Sequence, residues 1–470
     1  MTERPLDIFL IAIGGTGMAP LACLLEELGH RVRGCDAPLY PPMSDLLATA
    51  GITPLVGYDP AHLEPAPDLV VVGNAVPRTN PVTAAAVDRG LEQISMPQAL
   101  ARFFLAGRKP LVAAGTHGKT TTSSLAAWVY SACGTDPGYL IGGVPLDLGR
   151  SFHAGSGERF VIEGDEYNAA WFDRGPKFLH YRPETAILTS VEYDHADLYE
   201  RPEDLLAAYR RLTEILPESG HLIACGDFPE VRRVVAGASC PVTFYGLDPA
   251  NDLAPVALAP RGGGKLMTLD DPDAGRLEIR LPMAGRHNAA NALAVWAAAR
   301  RDGLPAGEVA AALERFRGVR RRQEELGTAR GVTVVDDFAH HPTAVRETLT
   351  ALAQRYRGRR LVAVFEPRSL TAGRSLFHDA YREAFAVADR VLLAPLYHRD
   401  RLAPEERLDL DALTAELTAA GTPAAVGGGP DELLERLRRE ARAGDVVVVM
   451  SSGEFGRLPQ RLLERLDDDG

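Results

Sequence analysis

Short apolar runs recur along the chain, and each one ends at glycine, carboxylate or histidine residues. A run of this kind, followed by a turn and then by helical periodicity, is typical of a strand in a parallel sheet that helices cover. Ligands of open α/β sheets bind beyond the carboxyl ends of the strands, so the polar residues after each run are the candidate site residues. The pattern predicts an α/β protein whose main strands lie in residues 8–13, 31–36, 68–75, 111–114, 159–164, 185–191, 221–226, 331–338, 359–367, 389–396 and 444–456.

The length of 470 residues exceeds what one hydrophobic core usually serves, and about 150 residues per domain predicts about three domains. We expect a Rossmann-like N-terminal domain over 1–105, a central α/β domain over 106–318 and a C-terminal α/β domain over 319–470. A glycine-rich, alternating stretch near 262–283 predicts a β-hairpin insertion.

The charge balance argues against nucleic acid as the main ligand, because a net charge of −12 does not suggest the basic face that a phosphate backbone needs. The N-terminal apolar run is too short for a membrane span. Five widely spaced cysteines without a CxxC pair indicate neither a disulfide framework nor a zinc site and fit a reducing cytoplasm.

A phosphate-binding loop is predicted at "AAGTHGKTTTSS", residues 113–124, between an apolar run and a helix-like stretch. Ala113 stands where the strict P-loop pattern has its first glycine, whereas Gly118, Lys119 and Thr120 match it. In such a loop the backbone N–H groups hold phosphates, the lysine reaches the β- and γ-oxygens and the hydroxyl holds Mg²⁺. The alternative is a glycine turn with a solvated lysine.

A second candidate loop, "GGTGMAP", follows the first apolar run. Gly15 and Gly17 would let a pyrophosphate approach a helix N-terminus, and Asp36, after the next run, would bond a ribose hydroxyl. Pro20 stands where a third glycine is expected, so a simple tight turn is the alternative.

Carboxylates and a histidine follow two runs of the central region. Glu163, Asp165 and Glu166 would repel one another without a nearby cation, which Mg²⁺ beside the phosphate loop would supply. His195, after Asp194, could serve a metal or phosphate, although a lone histidine is often structural.

Polar residues also mark the C-terminal half. Asn288 could contact a nucleotide or only cap a helix, and the run "RRR" at 320–322 could be a solvated face or a phosphate contact. "VVDDFAHHPTAV", at 334–345, concentrates titratable groups at a strand end, and Arg368 and Arg374 suit carboxylates on an incoming substrate.

The order of these motifs resembles the Mur ligase family of peptidoglycan synthesis: "IGGTGM", "GTHGKTTT", "EGDE", "DHAD", "GRHNAAN", the arginine run and "DDFAHHPT". "YPPMS", "GYDP", "IGGVP", "KFLHYRP" and "EPRS" resemble its recycling branch, the murein peptide ligases. The resemblance implies a cytoplasmic ligase, a monomer or weak homodimer, that uses ATP and Mg²⁺ to join UDP-N-acetylmuramate to the tripeptide L-alanyl-γ-D-glutamyl-meso-diaminopimelate.

The resemblance also implies a UDP-sugar-binding N-terminal domain, a P-loop ATPase central domain and a Rossmann-like C-terminal ligase domain, and it implies roles for single residues. Lys119, Glu163 and His195 would be catalytic, and Thr120, Glu163 and His195 would bind Mg²⁺. The ATP-binding residues would be Gly115, Thr116, His117, Gly118, Lys119, Thr120, Thr121, Asn288, Arg322 and Asp337. The UDP-sugar would contact Gly15, Thr16, Gly17, Met18 and Asp36, and the peptide would contact His341, Arg368 and Arg374.

The sequence departs from the family's pattern at two places, and three alternative functions stay open. Pro20 replaces a glycine, and "DLLAAYRRLTEIL" lacks the lysine that several relatives carbamylate. The nearest alternative adds free L-alanine to the same sugar nucleotide. A nicotinamide-dependent oxidoreductase would leave the phosphate loop unexplained, and a nucleotide switch would leave the C-terminal histidines and aspartates unexplained.

Overall fold

The computed structural model describes residues 4–196 and 198–468. These residues form two compact units. Unit one comprises residues 4–191, 203–253 and 294–312, and unit two comprises the remaining described residues. Within the described part of the chain, no helix has the length and apolar character that crossing a membrane requires.

Unit one contains a five-stranded parallel sheet in the order β3-β2-β1-β4-β5. Its strand order reverses at β1 and β4, and in sheets of this kind the crevice at such a point receives the ligand. The strands are β1 (Asp7–Ile11), β2 (Arg31–Asp36), β3 (Leu55–Val56), β4 (Leu69–Val72) and β5 (Gln93–Ser95). The helices are α1 (Met18–Glu27), α2 (Met43–Thr49), α3 (Pro81–Asp88) and α4 (Met96–Leu100).

A second sheet of unit one has seven strands in the order β14-β13-β12-β6-β9-β7-β8, with only β8 antiparallel to its neighbour. The strands are β6 (Lys109–Ala114), β7 (Gly138–Leu140), β8 (Phe152–His153), β9 (Arg159–Gly164), β12 (Thr185–Leu188), β13 (His221–Cys225) and β14 (Val242–Tyr245). β10 (Asn168–Ala170) and β11 (Asp173–Pro176) form a separate hairpin. The helices are α5 (Lys119–Ala132), α6 (Pro202–Glu214) and α7 (Pro229–Val235), while α8 (Arg286–Arg301) and α9 (Ala306–Arg315) are divided between the two units.

Unit two contains a three-stranded antiparallel sheet and a six-stranded sheet in the order β18-β19-β23-β20-β21-β22. In the larger sheet only β18 is antiparallel. The strands are β15 (Ala257–Arg261), β16 (Gly264–Asp271), β17 (Gly275–Leu281), β18 (Glu324–Ala329), β19 (Val332–Asp337), β20 (Leu361–Phe365), β21 (Arg390–Leu393), β22 (Ala424–Val426) and β23 (Val446–Met450). The helices are α10 (Pro342–Arg355), α11 (His378–Phe385), α12 (Leu410–Ala419), α13 (Pro430–Glu440) and α14 (Leu458–Asp468).

Along the strands of the six-stranded sheet, successive residues belong to two different apolar cores. Val335, Ala363 and Val448 belong to one core, whereas Val334 and Val447 belong to the other. Because successive side chains of a strand point to opposite faces, a strand buried on both faces reads as a continuous apolar run.

The sequence prediction of an α/β fold with parallel sheets is confirmed, and the β-hairpin predicted near 262–283 is the β16–β17 pair. The antiparallel edge strand β18 was not predicted. Its sequence, "EELGTA", has no apolar run, because an edge strand needs fewer buried side chains than a central one.

Candidate active site

The predicted phosphate loop joins β6 to α5. Ala113 is a fully buried residue of β6, paired with Ile187 and Glu163, so the loop proper begins at Gly115. A Cβ on Gly115, whose φ is +128°, would lie 2.3 Å from the Thr189 Oγ1 atom. Glycine is therefore required here, and the missing first glycine of the strict pattern falls inside a strand.

The end of β12 holds this loop in place. Thr116 N donates to Ser190 O at 3.0 Å, and His117 N donates to Ser190 Oγ at 2.9 Å. Gly118 has φ +83° and forms the N-cap of α5, so Lys119 and Thr120 stand in the first turn of the helix. N–H groups without helical partners point from such a turn and favour an anion.

Lys119 is fixed by oxygens on two sides. Its Nζ donates to Gly115 O at 2.7 Å and to the Glu166 carboxylate at 2.9 and 3.2 Å. Burial alone would lower the pKa of Lys119, but the carboxylates of Glu166, Asp165 and Glu163 outweigh burial and raise it. Lys119 is therefore a charged ammonium group beside the loop.

Thr120 and Glu163 meet at the same edge of the sheet. Thr120 Oγ1 donates to Glu163 Oε2 at 3.1 Å, and Gly142 N donates to Glu163 Oε1 at 2.6 Å. A hydroxyl and a carboxylate are oxygen ligands of the kind that Mg²⁺ takes together with phosphates. The pair thus fits a magnesium site next to the phosphate loop.

Each of the three carboxylates at the end of β9 and directly after it has its own partner. Glu163 contacts Thr120, and Glu166 contacts Lys119. Asp165 accepts a hydrogen bond from Lys177 Nζ at 3.0 Å. These separate partners explain how the sequence tolerates the like charges, and Glu166, which has no assigned role in the sequence prediction, is the partner of the key lysine.

The loop after β1 is shaped by Asp36. Asp36 accepts hydrogen bonds from Gly14 N at 2.8 Å and Ala37 N at 2.8 Å, and also from the Tyr58 hydroxyl at 2.9 Å. Burial and the hydrogen bond to Asp36 raise the pKa of Tyr58 to about 12. The predicted ribose ligand is thus also a structural residue of the loop.

The predicted UDP-sugar residues Gly15, Thr16, Gly17 and Met18 lie between β1 and the start of α1, where Gly17 is the N-cap. A Cβ on Gly17 would lie 2.8 Å from Met96 Cε, whereas a Cβ on Gly15 would make only ordinary contacts. Pro20 occupies the first turn of α1, where a missing N–H costs no helical hydrogen bond. The departure at Pro20 is therefore compatible with the helix.

Asp336 and Asp337 end β19 in unit two. Asp337 accepts hydrogen bonds from Gln323 N and Ala339 N, both at 2.7 Å. Burial raises the pKa of Asp337 and raises that of Asp336 to about 6, against the attraction of Arg321.

Two other predicted nucleotide contacts belong to the same unit. The Arg322 guanidinium lies 4.6 Å from the centre of the Phe338 ring. Asn288 is the third residue of α8 and donates to Ala284 O at 2.7 Å. It therefore fastens the start of the helix without being its N-cap.

A cavity of about 220 Å³ opens in unit two and is lined by Asp194, His195, His340, Ser369, Leu370, Thr371, His398 and Arg401. His195 N donates to Asp194 Oδ1 at 2.6 Å. Burial would raise the pKa of Asp194, but His195, His340 and His341 outweigh burial and lower it. The last residue of the "DHAD" motif, Asp197, lies outside the described residues.

The three predicted peptide contacts do not line this cavity. His341 caps α10, where Nδ1 accepts from Thr343 N at 3.3 Å. The Arg368 guanidinium lies over the Tyr397 ring, 4.0 Å from its centre, and Arg374 pairs with Glu406 at 3.0 Å.

Sequence reasoning missed several lining residues. Ser369 and Thr371 follow β20, and His398 and Arg401 follow β21. Site residues of such sheets follow strand ends, so the position of His398 and Arg401 after the apolar run of β21 is the sequence signal that indicates this pair.

Three family models match the chain. They are described as Mur ligase family, catalytic domain (residues 7–108), Mur ligase middle domain (113–299) and Mur ligase, glutamate ligase domain (321–453).

The chain is 39% identical over 461 residues, 98% of each chain, to the Escherichia coli UDP-N-acetylmuramate–L-alanyl-γ-D-glutamyl-meso-2,6-diaminoheptandioate ligase. It is 35% identical to the Rubrobacter xylanophilus UDP-N-acetylmuramate–L-alanine ligase, over 98% of this chain and 100% of the relative. A crystal structure of a murein peptide ligase from Psychrobacter arcticus aligns with a TM-score of 0.74 and 35% identity, covering 98% of this chain and 99% of the other.

Proposed function

Because the chain belongs to the Mur ligase family, we propose that it joins UDP-N-acetylmuramate to L-alanyl-γ-D-glutamyl-meso-diaminopimelate and cleaves ATP to ADP. The observation that carries this proposal is the sheet edge where Lys119 meets Glu166 and Thr120 meets Glu163. The choice of acceptor is supported by the Escherichia coli relative, which is 39% identical, against 35% for the alanine ligase of Rubrobacter xylanophilus.

Three functional domains belong to this proposal: a UDP-sugar domain over 1–105, an ATP-binding domain over 106–318 and a C-terminal ligase domain over 319–470. The family matches leave gaps at 109–112 and at 300–320, so the limit at 318 falls inside a gap and the limit at 105 lies close to one. A cytoplasmic location, where ATP is available, completes the proposal.

The reaction must first activate a carboxylate, which is a poor electrophile. Transfer of the γ-phosphoryl group of ATP to the lactyl carboxylate of the sugar nucleotide would give an acyl phosphate. The peptide amine would then attack the acyl carbon, form a tetrahedral intermediate and expel phosphate.

The phosphate loop performs the first part of this chemistry. Its N–H groups and the Lys119 ammonium would surround the phosphates, and a charge placed beforehand stabilises the migrating phosphoryl group without reorganisation. Glu166 keeps that ammonium in position through its carboxylate, whose side chain is only 1% exposed.

Mg²⁺, when bound, would neutralise phosphate charge and orient the γ-phosphoryl group. Thr120 and Glu163 would hold the ion, since their oxygens meet at 3.1 Å. We propose His195 as a ligand of a second ion. Asn288, Arg322 and Asp337 would contact ATP, and Gly15, Gly17 and Asp36 the UDP-sugar.

The test is a ligation assay with purified protein, ATP, Mg²⁺ and UDP-N-acetylmuramate, to which either tripeptide or L-alanine is added. We expect phosphate release and a product of the summed mass, less water, with the tripeptide. Turnover with alanine alone would assign the chain to the biosynthetic alternative. Absence of any ATP-dependent product would refute the proposal.

A further inference from the structure

The cavity of unit two offers two kinds of chemistry to a ligand. Asp194, His195 and His340 supply one acidic and two imidazole groups, while His398 and Arg401 add basic groups together with the hydroxyls of Ser369 and Thr371. We propose that His398 and Arg401 bind a carboxylate of the acceptor peptide remote from its reacting amine, and so select a peptide over free alanine. This inference rests on the proposed function.

The first support is the state of the Arg401 side chain. Within residues 4–196 and 198–468, it makes no hydrogen bond and no ion pair, although it lines the cavity. Arg374, by contrast, is engaged by Glu406 at 3.0 Å, and Arg368 stacks on Tyr397 and lies 3.5 Å from Glu366. Arg401 and its neighbour Arg399 are both exposed, but of the two only Arg401 lines the cavity, so Arg401 is the guanidinium of the lining that is available to a ligand.

The second support is the local charge. Burial lowers the pKa of His398, and the positive charges of Arg401 and Arg368 lower it further. Arg401 and Arg368 thus place positive charge beside His398, and positive charge at this side of the cavity favours an anion. Guanidinium groups bind carboxylates through two parallel hydrogen bonds, and the nearby Thr371 is a buried hydroxyl.

The third support is the fixed position of the segment that carries both residues. Arg407 Nε donates to Arg399 O at 3.1 Å and to Leu402 O at 3.0 Å. Leu402 is 4% exposed, and Leu408 N donates to Gly373 O at 2.8 Å. The segment is thereby tied to the loop that follows β20, so the cavity lining is built and not a chance grouping of surface side chains.

The chemistry of the acceptor explains why this position selects a peptide. In alanine the only carboxylate is one carbon away from the reacting amine. In the tripeptide three carboxylates lie further along the chain: the α-carboxylate of the γ-linked glutamate and both carboxylates of diaminopimelate. A basic group placed away from the reacting amine can therefore bind a carboxylate of the tripeptide but cannot reach the carboxylate of alanine.

The experiment compares Arg401→Ala with Arg399→Ala, a matched control because Arg399 is an exposed arginine of the same turn that does not line the cavity. We expect Arg401→Ala to raise the KM for the tripeptide about 10- to 100-fold, the loss of a charge-assisted hydrogen-bond pair. The KM values for ATP and UDP-N-acetylmuramate should stay within about twofold, as should all values of the control. The KM of Arg401→Lys for the tripeptide should lie between the values of the wild-type protein and Arg401→Ala, because lysine keeps the positive charge but cannot donate two parallel hydrogen bonds.

A second measurement separates substrate binding from a structural effect. The tripeptide is compared with an analogue in which both diaminopimelate carboxylates and the glutamate α-carboxylate are amides. The wild-type enzyme should prefer the acid, and Arg401→Ala should lose most of that preference. Equal acid preference in both proteins, or equal losses for all three substrates, would overturn the inference.

The outcome for the proposed function is read separately. If the wild-type protein forms no adduct with any acceptor, the proposed ligase function fails. Calorimetric titration of the tripeptide into wild-type and Arg401→Ala protein then still decides the subsite. Weaker tripeptide binding by Arg401→Ala than by the wild-type protein supports the subsite. Equal binding by both proteins, or binding by neither, overturns it.

Discussion

At the scale of single residues, the site depends on pairs whose members come from different strand ends. Lys119 and Glu166 are 47 positions apart in the chain and form an ion pair with N–O 2.9 Å, with exposed side-chain fractions of 13% and 1%. A pair this buried is costly to break, because the remaining charge loses its partner without regaining water. The pair is therefore sensitive to a change in either member.

Replacement of Glu166 by glutamine should lower kcat/KM for ATP about 10- to 100-fold, since the hydrogen bonds to a charged group that fix Lys119 are weakened. UDP-N-acetylmuramate binding should be unchanged. Glu158→Gln is the control, because Glu158 pairs with Lys109 at an exposed site. Steady-state kinetics with ATP varied provides the measurement, and tighter ATP binding in Glu166→Gln would show that Glu166 competes with the nucleotide.

Asp336 makes stability depend on pH. Its folded pKa is raised to about 6 from 3.8, so the folded state binds the proton more tightly than the unfolded chain does. That contribution is present below pH 3.8 and is lost as pH rises through 6. Asp336→Asn should therefore gain stability relative to wild type as pH rises from about 4 to about 7, by up to about 3 kcal/mol.

Thermal unfolding of both proteins at several pH values checks this expectation. A difference in Tm that stays constant from about pH 4 to about pH 7 would contradict the assignment of the raised pKa to Asp336. The expected result is that the Tm of Asp336→Asn rises relative to the Tm of the wild-type protein as the pH increases.

At the scale of elements, the phosphate loop depends on backbone conformation more than on side chains. Gly115 combines φ +128° with a gap too small for a Cβ beside Thr189 and Ser190. The loop can keep its course between β6 and α5 only while this position lacks a side chain.

Gly115→Ala should displace the loop and abolish ATP binding, with a loss of stability of about 1–3 kcal/mol. Gly134→Ala is the control, since Gly134 also has positive φ, +76°, but no atom lies within 4 Å of its added Cβ. It should lose only about 1 kcal/mol and retain ATP binding. Calorimetric titration with a nonhydrolysable ATP analogue distinguishes the two variants, and retained binding in Gly115→Ala would contradict the steric argument.

Elements with strong apolar runs could be predicted from the sequence, whereas short or polar ones could not. Burial on both faces forces central strands such as β19 and β23 to be apolar. β18 is a polar edge strand, and the β10–β11 hairpin has strands of three and four residues. Such pieces are held by tertiary contacts that local sequence does not reveal.

The same limit applies to the site. Thr120 and Glu163 could be expected to meet, because Thr120 follows one apolar strand, Glu163 lies near the end of another, and the two strands end at one sheet edge. The pairing of Lys119 with Glu166, and the support that Ser190 gives to the loop, depend on strand order. β6 lies between β9 and β12, an order that the chain's sequence of runs does not state.

At the scale of the whole molecule, ligand binding should appear as stability, since a ligand that binds only the folded state raises Tm. Lys119→Ala should lose the rise produced by ATP and Mg²⁺ and keep the rise produced by UDP-N-acetylmuramate. Chelation of divalent ions should reduce the ATP-dependent rise in the wild-type protein. Thermal shift measurements with each ligand alone check this, and an undiminished ATP response in Lys119→Ala would refute the role of the lysine.

Asp36 combines a structural role in the first loop with the sugar-nucleotide contact that we propose for it. Its carboxylate already accepts hydrogen bonds from Gly14, Ala37 and Tyr58. A sugar hydroxyl that reaches it must take a remaining lone pair or displace an internal donor, so binding there is partly an exchange. Because the Tyr58 hydroxyl is hydrogen-bonded to Asp36, we expect positions 36 and 58 to covary among related sequences, and a change at Asp36 that alters the proposed contact should require a matching change at Tyr58.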